Sequence, residues 1–175
     1  GANTTTRNYY IAPTIPTATA STPSAATDVV AVASSESATI SSLTNDAAPL
    51  TSSTGTQVWQ VTVRDGGSGL NDADALPTKL TGLVLTQNGS SNVASWTTSI
   101  KTVALFDGAT FLATGTVSNF TITFTGFTST VTDNSSKTLS VRLSLNNTLG
   151  ATDDNKKFVF NLTNANVTTL NDGTS

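Results

Sequence analysis

The stretch Thr138–Leu145, TLSVRLSL, sets Leu139, Val141, Leu143 and Leu145 in alternation with Ser140, Arg142 and Ser144. A period of two is the repeat of a β-strand, whose successive side chains leave opposite faces. The segment therefore reads as a strand with one face in an apolar core and the other in water. The same alternation recurs on both sides of it. It gives Trp59, Val61 and Val63 in TQVWQVTV, Phe120, Ile122 and Phe124 in NFTITFT, and Phe158, Phe160 and Leu162 in KFVFNLT. Further strands are expected at Val29–Ala33, Thr39–Leu43, Leu80–Thr86, Val103–Phe106, Phe111–Val117 and Asn166–Leu170. Asn88-Gly89 and Asp107-Gly108 mark turns, and the latter joins VALF to TFLATG as a type I′-like hairpin. No helix is expected beyond a turn at Ser95–Lys101. Many short, closely spaced strands of this kind predict an all-β chain, an antiparallel immunoglobulin-like β-sandwich with an extended N-terminal arm.

The arm is residues 1–27, and the sandwich residues 28–175, one domain at this length. Pro13, Pro16 and Pro23, set among Thr and Ala, bias the arm toward extended, polyproline-like backbone that holds no shape alone. Order in it requires a surface. Tyr9, Tyr10, Ile11 and Ile15 form its apolar patch and are the candidate subunit-interface residues, able to enter a groove as an added strand. The groove can belong to a neighbouring subunit or to the arm's own domain, and the sequence leaves both open. The chain begins with Gly1, which leads us to expect a processed protein or a segment of a longer one. No internal repeat is visible, although the whole can be one repeat of an array.

Composition excludes more than any motif adds. The 175 residues hold 8 Lys+Arg, 11 Asp+Glu, no His, no Cys and no Met. Without His or Cys there is no imidazole base, thiolate nucleophile, thiolate zinc site or disulfide, so Ser/His/Asp triads and zincin-type sites are excluded. Acid–base chemistry would need an Asp pair in a cleft, and solvated loop carboxylates are the simpler reading. The chain is expected not to be an enzyme. Charged residues are 11 % of the chain against roughly 25 % in an ordinary soluble domain, while Ser and Thr fill roughly a third. Hydroxyls and amides thus supply the polarity, which points to a secreted, extracellular or cell-surface protein. The formal charge is −3 and the lysines and arginines do not form a basic patch, so nucleic acid is not an expected partner. No apolar run approaches the ~20 residues of a membrane span.

Several side chains invite a ligand. The loop Arg64-Asp65-Gly66-Gly67-Ser68-Gly69-Leu70-Asn71-Asp72-Ala73-Asp74 concentrates oxygens on Gly-rich backbone, which makes Asp65, Asp72 and Asp74 candidate Ca²⁺ ligands. The alternative is a turn whose Asp side chains cap their own backbone. A second acidic loop, Asp153-Asp154-Asn155 before Lys156-Lys157, reads as a solvated turn with local charge pairing, with calcium binding as the alternative. Trp59 shares a strand face with Val61 and Val63 and belongs to the core, whereas Trp96 follows a loop and is a candidate platform for stacking a glycan. Lys79, Lys101 and Lys137 near strand ends make Lys–Asn isopeptide bonds conceivable, but alternation sets no carboxylate beside them. The Asn-x-Ser/Thr triplets at Asn3, Asn88, Asn119, Asn134, Asn146, Asn161 and Asn166 are what chance gives in such a composition.

DVVAVASSESATISSL (28–43), TQVWQVTVRDGG (56–67), DADALPTKLTGLVL (72–85), SIKTVALFDGATFLATGTV (99–117), SSKTLSVRLSL (135–145) and KKFVFNLTNANVT (156–168) follow one another along most of residues 28–168. Together they resemble the β-sandwich, immunoglobulin-like repeat module of large secreted surface, adhesin and filament proteins of Bacteroidota and related bacteria. The resemblance implies a non-catalytic extracellular building block, exported by a dedicated secretion system, whose partners are copies of itself or tandem neighbours. Residues 1–27 lie outside it. Two functional expectations follow. One is a structural subunit that polymerises head to tail through its arm; the other is an adhesin module that recognises a glycan or a surface partner.

Overall fold

The computed structural model describes residues 9–12, 17–19, 27–31, 45–65, 70, 76–89, 91–153 and 155–170. Among the described residues thirteen strands build two sheets packed face to face, the all-β antiparallel sandwich that the sequence predicts. They are β1 (Tyr9–Ala12), β2 (Thr17–Thr19), β3 (Thr27–Ala31), β4 (Thr56–Asp65), β5 (Thr78–Gln87), β6 (Ile100–Asp107), β7 (Thr110–Thr114), β8 (Thr116–Ser118), β9 (Thr121–Phe124), β10 (Ser129–Val131), β11 (Ser136–Leu145), β12 (Lys156–Asn161) and β13 (Val167–Thr169). One sheet runs β1-β12-β5-β9-β8, with β10 and β13 also on β5; the other runs β2-β3-β4-β11-β6-β7. Every pairing is antiparallel except β1 on β12, which is parallel.

Apolar alternation builds the core. On β11, Leu139 stands opposite Val61 and Val141 opposite Trp59 of β4. On the facing sheet, Leu83 and Leu85 of β5 stand opposite Phe124 and Ile122 of β9. All eight are buried. Cross-strand apolar pairs of this kind are the unit that stabilises a sheet. The one α-helical turn among the described residues, α1 (Trp96–Ser99), lies in the expected turn at 95–101, and its Ser95 N-cap accepts from the Thr98 N–H.

The other face of β11 is not in water. Ser144 is fully buried, Ser140 nearly so and Arg142 half-buried, because residues 45–55 cross the outer side of the sheet there. Arg142 donates to the carbonyls of Thr54 and Gly55, and Ser144 Oγ to that of Asp46 at 3.0 Å. Asp46 Oδ2 in turn accepts from the Gly55 N–H at 2.7 Å. Leu50 packs there in a small second cluster with Ala104 and Phe106. Alternation within one strand could not reveal a cover supplied from far along the chain.

The expected strand Phe111–Val117 is two strands in different sheets. The chain leaves β7 and enters β8 through Gly115, where a Cβ would stand 2.8 Å from Val103 Cγ1, Ile122 Cγ2 and Phe124 Cε1. Only a residue without a side chain lets the backbone cross the rim of the core at that point. The hairpin before it also falls one residue later than expected. Asp107 pairs with Thr110, so Gly108-Ala109 is the two-residue loop. Gly108 has φ +56° whereas Ala109 stays out of the positive-φ region, the sign pattern of a type II′ turn and not of type I′. Phe120 sits in the turn after β8 and is 37 % exposed, not on the inward face of β9. The expected strand Asn166–Leu170 becomes a 3-10 turn at Asn164–Asn166 followed by β13. Thr39–Leu43 lies outside the described residues.

Candidate functional site: the β12 edge and its arm

β12 carries the polar-to-apolar run KKFVFN at one margin of its sheet. It is introduced by a 3-10 turn at Ala151–Asp153, in which Asp153 Oδ2 accepts from the Gly150 N–H at 2.8 Å. The second acidic loop thus spends Asp153 on its own backbone; Asp154 lies outside the described residues.

Backbone groups of successive residues in a strand point to opposite sides. Those of Lys157 and Val159 turn inward along the sheet. The Lys157 N–H donates to Asn92 Oδ1, its carbonyl accepts from the Asn92 N–H at 3.1 Å and from Ser91 Oγ, and the Val159 carbonyl accepts from the Asn88 N–H at 3.0 Å. Phe160 and Asn161 then register against Gln87 and Thr86 of β5. The opposite side of β12, where the groups of Phe158 and Phe160 point, is the side taken by β1. Tyr9 registers with Lys156, Tyr10 with Lys157, Ile11 with Phe158 and Ala12 with Val159. Three of the four candidate interface residues therefore lie on one strand added to a sheet edge, the edge of their own chain; Ile15 lies outside the described residues. After Pro13 and Pro16, which lack N–H donors, β2 pairs with β3 in the other sheet.

An aromatic cluster lies behind this edge. Phe158 and Phe160 stack at 6.0 Å with their planes 9° apart, and Trp96 meets both edge-on, at 5.9 and 5.2 Å. Phe120 closes on Trp96 from a third side at 6.4 Å. Trp96 has no exposed surface at all. This corrects the expectation of a glycan platform, since a stacking ring must offer a face to solvent and the faces of Trp96 are covered. The loop position that suggested exposure is a helical turn folded onto the core.

Of the candidate calcium ligands only Asp65 lies among the described residues. Asp65 ends β4, is buried, and accepts from the Asn134 N–H at Oδ1 over 2.9 Å, while its own N–H donates to the Ser135 carbonyl. Asp72 and Asp74 lie outside the described residues, among which no group of three His, Cys, Asp or Glu gathers to hold a metal. Of the lysines weighed for isopeptide bonds, Lys137 pairs with Asp107 at 2.8 Å, a half-exposed ion pair of small energetic consequence. Among the described residues no helix is long and apolar enough to cross a membrane. No known protein family, curated protein or solved structure matches the chain.

Proposed function

We propose that the protein is a non-catalytic structural subunit or repeat of an extracellular filament or surface array, joined head to tail by its N-terminal arm. One observation carries this reading: the arm supplies a short edge strand, β1, whose only pairing partner among the described residues is β12. A sheet edge offers unpaired N–H and C=O groups that any suitable strand can satisfy, and an element that closes its own subunit can close an identical one instead. Exchange of β1 between copies keeps the pairing seen within the chain and leaves the sandwich intact. The backbone at Phe158 and Phe160 gains the same partners, and the apolar residues Tyr9, Tyr10 and Ile11 reach the same edge. A joint of this type needs no cysteine, and the chain has none.

The lack of cysteine also makes the test direct. Tyr10→Cys and Lys157→Cys are prepared as separate single variants, mixed and oxidised; these positions are register partners across the β1–β12 pair. A disulfide between the two different chains, together with filaments in negative-stain images that vanish when residues 1–27 are removed, is the expected result. A mixture that never cross-links between chains, while the double variant closes only on itself, overturns the reading.

A further inference from the structure

We infer that Asn88 is a site of spontaneous covalent modification, where loss of the side-chain amide through a succinimide reroutes the backbone that anchors β12. Asn88-Gly89 follows β5, and Asn88 is the only asparagine of the chain that precedes glycine. The Gly89 backbone nitrogen attacks Asn88 Cγ. A Cγ–N bond forms, the Cγ–Nδ2 bond breaks, and ammonia leaves carrying the proton of the Gly89 amide. Water from the solvent then opens the cyclic imide. Cleavage of the new bond gives aspartate, and cleavage of the original peptide bond gives isoaspartate. Nothing is oxidised or reduced.

The attack needs an amide nitrogen that is reachable and able to give up its proton. Gly89 is exposed. Among the described residues no heavy atom beyond its chain neighbours stands within 4 Å of where its Cβ would be, and its N–H makes no hydrogen bond. At Asn134 the corresponding amide is occupied, since the Ser135 N–H donates to the Thr132 carbonyl at 3.1 Å. Asn92, Asn119, Asn161 and Asn166 precede Val, Phe, Leu and Val, whose side chains crowd the approach that glycine leaves open. Asp107-Gly108 could close the same ring, but there the group to be expelled is an oxygen of a carboxylate paired with Lys137 at 2.8 Å.

Its place in the fold gives the change an effect. The Asn88 N–H donates to the Val159 carbonyl, and the Asn88 carbonyl accepts from the Ser91 N–H, both at 3.0 Å. Ser91 and Asn92, set by that turn, bind the backbone of Lys157. In isoaspartate the main chain passes through Cβ and Cγ, one atom longer, and the former carbonyl becomes a carboxylate on a branch. The spacing that lets Asn88 meet Val159 while Asn92 meets Lys157 is then lost. β12, the strand that carries β1, is loosened at its start.

This modification does not depend on exchange of the arm. The full chain is aged in warm, mildly alkaline buffer and its peptides are mapped by mass spectrometry, with electron-transfer fragmentation to tell isoaspartate from aspartate. Conversion should be on the order of tenfold faster at Asn88 than at Asn134, because only Asn88 is followed by an open, unbound amide. At Gly89 a Cβ meets open space and φ is not positive, so Gly89→Val should slow conversion at Asn88 without moving the melting temperature; if it moves, Gly89→Ala replaces it. Hydrogen exchange at the Lys157 amide should accelerate more in the isoaspartate fraction than in Asn88→Asp, which adds the charge without lengthening the chain. Conversion at Asn88 no faster than at Asn134, or unslowed by the change at Gly89, overturns the site. Isoaspartate that leaves exchange at Lys157 unaltered overturns its effect on β12.

Discussion

Arg142 is bound to Gly55 across the outer face of a sheet: its Nη2 donates to the Gly55 carbonyl at 2.8 Å while Nε donates to the Thr54 carbonyl at the same distance. The planar guanidinium thus uses two of its fixed donors to hold the 45–55 crossing over β11.

Replacing Arg142 by Met leaves both carbonyls without these donors and should lower stability by about 1–3 kcal/mol. Arg142→Lys should recover only part of the loss, because one ammonium cannot reproduce the fork. Urea midpoints of the three proteins check this. A Met variant as stable as the parent would show that the Arg142 fork adds nothing to the hold that Leu50 and the Ser144–Asp46 hydrogen bond already have on the crossing.

Gly115→Ala should cost about 1–3 kcal/mol, the range for overfilling a packed core, because three side chains stand 2.8 Å from the added methyl. At Gly108 the space is open but φ is +56°, so Gly108→Ala should cost about 1–2 kcal/mol through backbone strain. Gly108→Asn should relieve little of that strain, since the first central position of a type II′ turn lies outside the left-handed helical region that Asn tolerates, while Gly115→Asn should be worse than Gly115→Ala. Thermal melts of the four variants separate strain from steric exclusion.

Trp96→Ala removes the ring around which Phe120, Phe158 and Phe160 gather and should cost about 3–5 kcal/mol. Trp96→Phe should cost much less, because the buried indole N–H has no hydrogen-bond partner among the described residues to lose. Equal losses in the two variants, by chemical denaturation, would contradict this account of the cluster.

Asp65→Ala should cost about 1–3 kcal/mol by stranding the Asn134 N–H. Asp65→Asn keeps an acceptor oxygen and should cost less. Hydrogen exchange at the Asn134 amide reads the effect locally: it should accelerate in the Ala variant and stay near the parent rate in the Asn variant.

Much of the sandwich was legible because its signal is local. Trp59, Val61 and Val63 alternate on β4, as do Phe158 and Phe160 on β12, and each goes to the interior. What escaped depends on residues distant in the chain. Nothing in TLSVRLSL tells that residues 45–55 will bury Ser144, and nothing in TFLATGTV tells that Val103, Ile122 and Phe124 leave no room at Gly115. Trp96 looked exposed because a four-residue helical turn has no periodic signature. Tyr9, Tyr10 and Ile11 stand out with Ile15 as an apolar patch, but the four residues of β1 cannot specify the edge they join or the parallel sense in which they join it.

The passage of one backbone through Gly115 from the rim of one layer to the rim of the other has a consequence for how the molecule comes apart. The chain changes layer elsewhere through loops, but here a single residue separates Thr114 of one layer from Thr116 of the other, so displacement of one rim pulls directly on its counterpart. Loss of structure in this body should accordingly be a single all-or-none event, and loosening that one crossing should weaken both layers at once.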